Sequence, residues 1–444
     1  MSDLVTTRIF TDGEKGITAA KLNDIVASST IQTDFVATKP ATSTVDPADN
    51  LLVLKSSGQY AKAPFQTIVD SVNTQLPSND AEIWSVRLRS FNAVGNPNFE
   101  VAQRNVGNVL SNPAHGTSIE DRWVAFNNGS LNPAFQRTAS GLGPGTGVIL
   151  PGTNFTLSSY WMRITCQTVK STLAATDLLG INQTVEGPML RELLNDVHSI
   201  SLLVRSSVAN LTFGLNLRDP TSTAHSLTKL CTLGPANTLT LITLPNLPAW
   251  VSSGTFTTAI GSPGYLLGIC LAAGATYRSP ANDTWQNGNF MGASGQSNFL
   301  SNPVNSTFEV MMVQHEPGPV CSTLIDKPFS QNLDECLRYF TKSYNYAAKP
   351  GTTGTSGVNF FVPAGGINPV FYIPFKKTMA NVPTVVCYSP PTGAVNVVRD
   401  QTASAERAAT VYRPTDNGFN GATVTGGAST IWQASLEYTA DTGW

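Results

Sequence analysis

The chain has 444 residues, too many for one ordinary domain and enough for two or three. Charged residues make up 13% of it, against roughly 25% in soluble globular proteins, while 41% is hydrophobic; packed cores are expected and disorder is not. A formal net charge of −2, with no Lys/Arg cluster, argues against nucleic acid or an anionic membrane surface as partner.

The opening residues MSDLVTTRIFTDGEKG hold neither a basic segment nor an apolar one, so no secretory leader is read there. No uninterrupted apolar run reaches ~18 residues, and no membrane insertion is expected. Six cysteines (Cys166, Cys231, Cys270, Cys321, Cys336, Cys387) lie scattered without CxxC spacing. They are read as free, buried thiols of a protein that folds in a reducing cytoplasm.

Residues 1–85 form a first module of mixed α/β type. Ile17–Val26 reads as a short helix with Leu22, Ile25 and Val26 on one side. Leu51–Leu54 and Tyr60–Ala63 read as a hairpin around Ser56-Ser57-Gly58. Pro64 is placed to open a second helix, with Phe65, Ile68, Val69, Val72 and Leu76 as its apolar stripe. Two helices and a hairpin bury little area, so this module needs a partner.

Residues 88–325 read as one long antiparallel β-sandwich or jelly roll. Short β-prone runs recur between Gly, Pro and Asn turns: Phe155–Thr165, Ile200–Arg205, Leu211–Leu217, Thr238–Leu244, Tyr265–Leu271 and Phe308–Gln314. Pro188–Val197 is helix-like and predicts a short crossing helix. His315-Glu316-Pro317-Gly318-Pro319 predicts a turn that ends the last strand. His315 is then expected at an edge or in solvent, with Gln314 and Glu316 bonded to backbone of the turn.

Residues 326–344 read as a linker and helix. Ser330 is its predicted N-cap, and Leu333, Cys336, Leu337 and Phe340 fall on one face. Asp334 and Glu335 come early and Arg338 and Lys342 late, the order the helix dipole favours. Residues 345–444 predict a second antiparallel β-sandwich domain. Its strands are Val358–Val362, Val370–Pro374, Thr384–Ser389, Val395–Val398, Ala408–Tyr412 and Ile431–Tyr438. The fold class is therefore mainly β. No tandem repeat or heptad pattern occurs.

No catalytic constellation stands out. The four histidines (His115, His198, His225, His315) make no HxH or HExxH spacing, so neither a metal site nor a cofactor is expected. There is no GxSxG elbow, and Gly141–Gly147 lacks the lysine of a phosphate cradle. Glu120-Asp121 precede Arg122 and predict a structural salt bridge. Asp334-Glu335 belong to the linker helix. Sugars are held by aromatic faces with Asn, Asp and Arg around them. Two places offer that mixture: Tyr277–Phe290, with Tyr277, Asn282, Asp283 and Trp285, and the C-terminal domain, with Tyr388, Arg413 and Trp432. These seven residues are the glycan-binding candidates.

Several segments carry a resemblance. DGEKGI at residues 12–17 and KAPF at 62–65, then VQHEPG at 313–318 and DECLRYF at 334–340, resemble bacteriophage tail fibre and spike proteins. Asn96–Phe99, Gln103-Arg104, Asp121–Trp123 and Val185–Gly187 resemble the jelly-roll module of such fibres, itself similar to carbohydrate-binding modules. The stretch Ile373–Gly393 resembles their C-terminal domains. The resemblance implies a homotrimeric virion protein that assembles in the host cytoplasm. Residues 1–85 would attach to other tail or neck proteins, and the distal domain would meet host surface polysaccharide. Where that family usually reads SFWVR, this chain has Ser201-Leu202-Leu203-Val204-Arg205, so an aromatic sugar platform is not expected on that strand. The alternative is a head-decoration, neck or baseplate protein without glycan binding. A polysaccharide depolymerase ranks third, because no β-helix repeat is present.

Overall fold

A computed structural model describes residues 50–54, 60–64, 91–139, 160–194, 197–220, 225–354, 358–361, 363–364, 368–369, 372–424 and 433–444. The chain divides into two compact units, Met1–Glu82 and Ile83–Trp444. In the first, strand Asn50–Leu54 pairs antiparallel with Tyr60–Pro64, Leu52 opposite Lys62, as the hairpin pattern predicts. The helices expected at Ile17–Val26 and beyond Pro64 lie outside the described residues, as does the loop Gly141–Gly147.

The second unit holds two antiparallel sheets face to face. Across the first sheet the strands run Trp285–Asn287, His225–Thr232, Thr212–Arg218, Pro263–Ala273, Leu178–Glu186, Trp123–Asn128 and Ser118–Glu120. Across the second they run Thr240–Leu247, His198–Ser206, Thr307–Pro317, Tyr160–Cys166, Pro133–Ala139 and Leu110–Ser111. Each strand follows from side-chain alternation. Thr212–Arg218 sends Phe213, Leu215 and Leu217 into the core between the sheets and turns Gly214, Asn216 and Arg218 to the outer face. Trp123, Phe99, Phe135 and Phe308 close that core without exposure, and the Trp123 Nε1 donates to the Asn96 carbonyl at 3.0 Å. The predicted crossing helix is present as α1, Gly187–Leu194, with Leu190 and Leu193 buried. All six cysteines are free; five are buried and Cys321 is half-buried.

Several sequence expectations need correction. The last sandwich strand does not stop at Gln314 but runs Thr307–Pro317, with Pro317 opposite His198. Among the described residues the neighbouring strand Tyr160–Cys166 pairs only as far as Val310; beyond it the Val313 N–H donates to the Pro97 carbonyl and the His315 carbonyl accepts from the Ala93 N–H, both at 3.0 Å, so Pro317 lies past the last of these bonds. A bulge at Met311 moves the set that faces the main core from Phe308 and Val310 to Val313, while Met311 and Met312 are buried in a separate cluster with Trp161 and Leu203. His315 is consequently fully buried rather than at an edge. Its Nδ1 meets the Tyr265 hydroxyl at 2.6 Å and its Nε2 meets His198 Nδ1 at 3.0 Å. As expected, Glu316 and Gln314 serve the adjoining turn: the Ser322 N–H donates to Glu316 at 2.8 Å, and the Ile325 N–H donates to Gln314 at 2.7 Å.

The linker helix, α2, spans Phe329–Leu337, with Pro328 and not Ser330 at its N-cap position. It ends before Phe340, because Phe340–Lys342 is a strand of the C-terminal sheet. The β-prone run Tyr339-Phe340-Thr341 takes the extended form that sheet pairing rewards. Lys342 is therefore no helix-terminal cation. It is fully buried, donates to the carbonyls of Gln103, Tyr346 and Ala348 (2.8, 2.8 and 2.6 Å), and burial pushes it down to about 8. The Glu120-Asp121 pair does not bridge to Arg122. Glu120 accepts from the Gly107 N–H at 2.8 Å, and Asp121 from the Gln103 N–H and side-chain amide. Burial, with Asp121 alongside, pushes Glu120 up to about 7. The Arg122 guanidinium lies 3.5 Å from the Tyr339 ring centre.

The C-terminal sheet is organised by a single strand. Ala434–Asp441 is flanked along its second half by Phe340–Lys342 and Thr384–Tyr388, and along its first half by Asn359–Phe361 and Val397–Asp400. The sheet extends through Ala405–Val411 to Ala422–Val424. Leu436, Tyr438 and Ala440 point into a core with Phe375, Cys387, Val398 and Phe419. The strand predicted over Ile431–Tyr438 thus begins later and ends later.

Candidate functional site

The strand that buries Leu436, Tyr438 and Ala440 must turn Thr439 and Asp441 to the opposite face. On its neighbour, Cys387 points into the core, so Thr384, Val386 and Tyr388 share that opposite face. These side chains, with Phe340, form the floor of an open cleft of about 570 Å³. Arg104 and Ser118 of the sandwich form one wall, and Lys349 and Pro350 another. The cleft is therefore built where sandwich and C-terminal sheet meet inside the second compact unit.

Its charges are unequal in their availability. Arg104 is buried over the Phe340 ring, 4.4 Å from the centroid, and binds Asp441 in a two-pronged pair, Nη2 to Oδ1 at 2.9 Å and Nη1 to Oδ2. Burial works against the Arg104 charge, but Asp441 outweighs it and holds the guanidinium above its ordinary value. Asp441 Oδ1 also accepts the Gly443 N–H at 2.8 Å. That pair is self-neutralised. Lys349 is exposed, and among the described residues its ammonium has no ion-pair partner. Tyr388 is half-buried, edge-on to Tyr344 at 5.9 Å, with its hydroxyl 3.4 Å from Thr439 Oγ1.

The Lys349 wall is held at two points. Two of the three carbonyl bonds of Lys342 fix Tyr346 and Ala348, just before Lys349, and the third ties them to Gln103 of the sandwich. On its other side Gly351 rests against Gly393, whose φ is +70°; a Cβ there would meet the Gly351 carbonyl oxygen at 2.0 Å. Gly393→Val is therefore expected to displace the wall and to cost about 2–3 kcal/mol through strain in the left-handed region plus that clash. Urea unfolding of the variant measures it; a loss below 0.5 kcal/mol, on the order of a neutral surface change, would show the contact to be slack.

The seven candidates are not assembled into one site. Tyr388 alone lines the cleft. Tyr277 packs on Phe126, Leu178, Cys270, Ala273 and Met291 on the outer face of the first sheet. Asn282 pins its loop, its side chain exchanging bonds with Ser294 (2.9 and 2.8 Å). Asp283 is exposed and pairs with Lys229. Trp285 donates to the Ala249 carbonyl at 2.9 Å and packs against Trp250 and Phe256. Arg413 is exposed, 5.0 Å over the Tyr412 ring. Trp432 lies outside the described residues. A second, smaller cleft of about 430 Å³ is lined by Pro390, Pro391, Arg399 and Gln401 among others. Among the described residues no cluster of three or more His, Cys, Asp or Glu side chains could hold a metal ion.

Lys349, Thr384, Thr439 and Asp441 were not singled out from sequence. Strand alternation through Thr384–Tyr388 contained the signal for Thr384 and Val386; nothing local marks Lys349.

No family model matches the chain, and no curated protein does. Several solved structures are similar in architecture. One is the module TmCBM61 in complex with β-1,4-galactotriose (9% identity, 51% of this chain and 99% of that one, TM-score 0.25). Another is the family 11 carbohydrate-binding module from Clostridium thermocellum in complex with a mixed-linked tetrasaccharide (11%, 46% and 100%, TM-score 0.24). A third is an exo-β-agarase (11%, 48% and 25%, TM-score 0.25). Likeness at this distance says nothing about what this chain binds.

Proposed function

We propose that the chain is a non-catalytic glycan-binding subunit of a bacteriophage fibre or spike, and that the cleft floored by Tyr388 is where it holds saccharide. The supporting observation is the lining itself. The rings of Tyr388 and Phe340, the hydroxyls of Thr384, Thr439 and Thr442, and polar side chains on two walls surround an open volume of sugar size. Aromatic faces take the C–H surface of a pyranose, and hydroxyls its polar rim. An open cleft gives weak single contacts, which suits adsorption through many copies: avidity raises the total without any new contact. The virion assignment rests on the fibre-like sequence segments, and the homotrimer and the docking role of residues 1–85 rest on the same resemblance.

The test uses the full chain. Binding is measured on an array of bacterial surface polysaccharides, and the protein is used to compete with particle adsorption. Tyr388→Ala is expected to weaken saccharide binding about tenfold, on the order of the stacking and burial lost with one ring. A folded chain that binds no saccharide and blocks no adsorption would leave structural decoration of the particle as the better reading.

A further inference from the structure

We infer that the saccharide taken by this cleft is an acidic one, and that Lys349 supplies the charge that selects it; this deepens the glycan-binding reading and rests on it. Among the described residues, three bring formal charge to the lining: Arg104, Asp441 and Lys349. Both carboxylate oxygens of Asp441 are occupied by Arg104, and one also by the Gly443 N–H. Arg104 in turn spends both terminal nitrogens on that carboxylate and is 6% exposed. Their fields largely cancel, and the part of Asp441 left exposed, 31% of its side chain, already faces its own cation. Lys349 remains, exposed and without an ion-pair partner among the described residues, with Pro350 beside it to limit its backbone. The cleft therefore carries one uncompensated positive charge in a protein of net charge −2.

The rest of the lining defines what the charge can be attached to. Tyr388 and Val386 offer an apolar strip on the floor, and Thr384, Thr439 and Thr442 offer hydroxyls. Among the described residues of the lining there is no second free cation for a polyanion of high density such as nucleic acid, which needs several. One ammonium above an aromatic and hydroxyl floor matches a sugar ring bearing a single carboxylate. An ammonium acts as a point charge without the two-pronged geometry of arginine, so it selects for charge more than for one orientation of the acid. Because Lys349 is exposed, its contribution is modest and falls with salt.

The experiment measures affinity of the full chain for polygalacturonate and for polysialic acid, each beside its methyl-esterified, uncharged form. Wild type is expected to prefer the acidic forms about fivefold at low salt, on the order of one exposed ion pair, and to lose that preference near 0.5 M NaCl. Lys349→Gln is expected to bind the acidic and esterified forms equally, with the esterified affinity unchanged. Lys349→Arg should restore most of the preference, and Lys376→Gln, at an exposed position outside the cleft, should leave it intact. Equal binding of acidic and neutral forms by wild type overturns the inference while leaving glycan binding standing. A preference that survives Lys349→Gln also overturns it. Failure to bind any polysaccharide on the wider array overturns the glycan-binding reading itself.

Discussion

Glu186→Ala is expected to lower the unfolding free energy of the unit Ile83–Trp444 by about 3 kcal/mol, the cost of breaking a largely buried ion pair from one side. Glu186 ends a sandwich strand, yet most of its partners belong to the segment leading into the C-terminal sheet. Arg338 donates through Nε at 2.8 Å and Nη2 at 2.5 Å, and the Tyr339 hydroxyl at 2.6 Å. The Gly261 N–H adds a fourth bond at 2.8 Å. Burial works to raise this carboxyl, but the bonds from Arg338 and Tyr339 prevail and hold it below the usual carboxylate range. Removing it strands the buried Tyr339 hydroxyl and an arginine that keeps only a quarter of its exposure. The expected consequence is loss of cooperativity as well as stability. Urea unfolding of wild type should show sandwich and C-terminal sheet melting together, whereas the variant should show the C-terminal sheet melting first. Glu186→Gln, which preserves shape and the tyrosine bond, should lose about half as much, since the charge-assisted bonds alone are weakened. A single transition of unchanged midpoint in Glu186→Ala would mean that Arg104–Asp441 and Lys342 suffice to join sandwich and sheet.

Those ties explain which features were legible in the sequence. Period-two runs such as Leu211–Leu217 and Tyr265–Leu271 predicted strands because one face of each meets a single large core, and alternation records that directly. Pro188–Val197 was legible as a helix for the same reason at a different period. The end of the strand at His315–Pro319 was misread because a bulge at Met311 and the bonding of Val313 and His315 to the segment 92–97 are tertiary facts. The rule that proline and glycine end strands assumes a ladder on both sides. Phe340 fitted a helical stripe by spacing alone, but its ring is needed beneath Arg104. The cleft was nearly invisible. It is assembled from residues 104, 349, 388 and 441, and only Tyr388 announced itself, by being aromatic on a strand with polar neighbours. Trp285 and Tyr277 showed the reverse: ring-bearing residues in a polar loop whose apolar faces are taken up by the sandwich.

The buried Tyr265–His315–His198 chain leads to the other large effect, a pH dependence that one substitution should expose. His198 stacks on Trp250 at 5.0 Å and is fully buried, and burial pushes it down to about 4. Burial, with His198 beside it, holds His315 well below an ordinary histidine. Both rings are neutral in the fold, while an unfolded histidine takes up a proton near pH 6.5. The unfolded state therefore binds more protons below 6.5, and stability must fall as pH drops from about 6.5 to about 4. For His198 that fall amounts to about 3 kcal/mol. Two carboxyls hide it. Burial pushes Glu120 and Glu437 up to about 7, so their contribution has the opposite sign: present in acid and lost as pH rises from 4.5 through 7. Across the shared window the two trends offset, and the wild-type curve alone is a poor witness. The difference between wild type and His198→Asn is a good one, because the carboxyl effects cancel in it. The variant loses the Trp250 stack and is less stable at pH 8. As pH falls from 6.5 to 4 the gap should close by about 3 kcal/mol, since only wild type still has to keep that histidine uncharged. Urea midpoints at pH 8, 6 and 4.5 suffice to see it. A gap that stays constant would show that His198 already carries its proton in the folded protein, which would require a water or anion beside its Nε2.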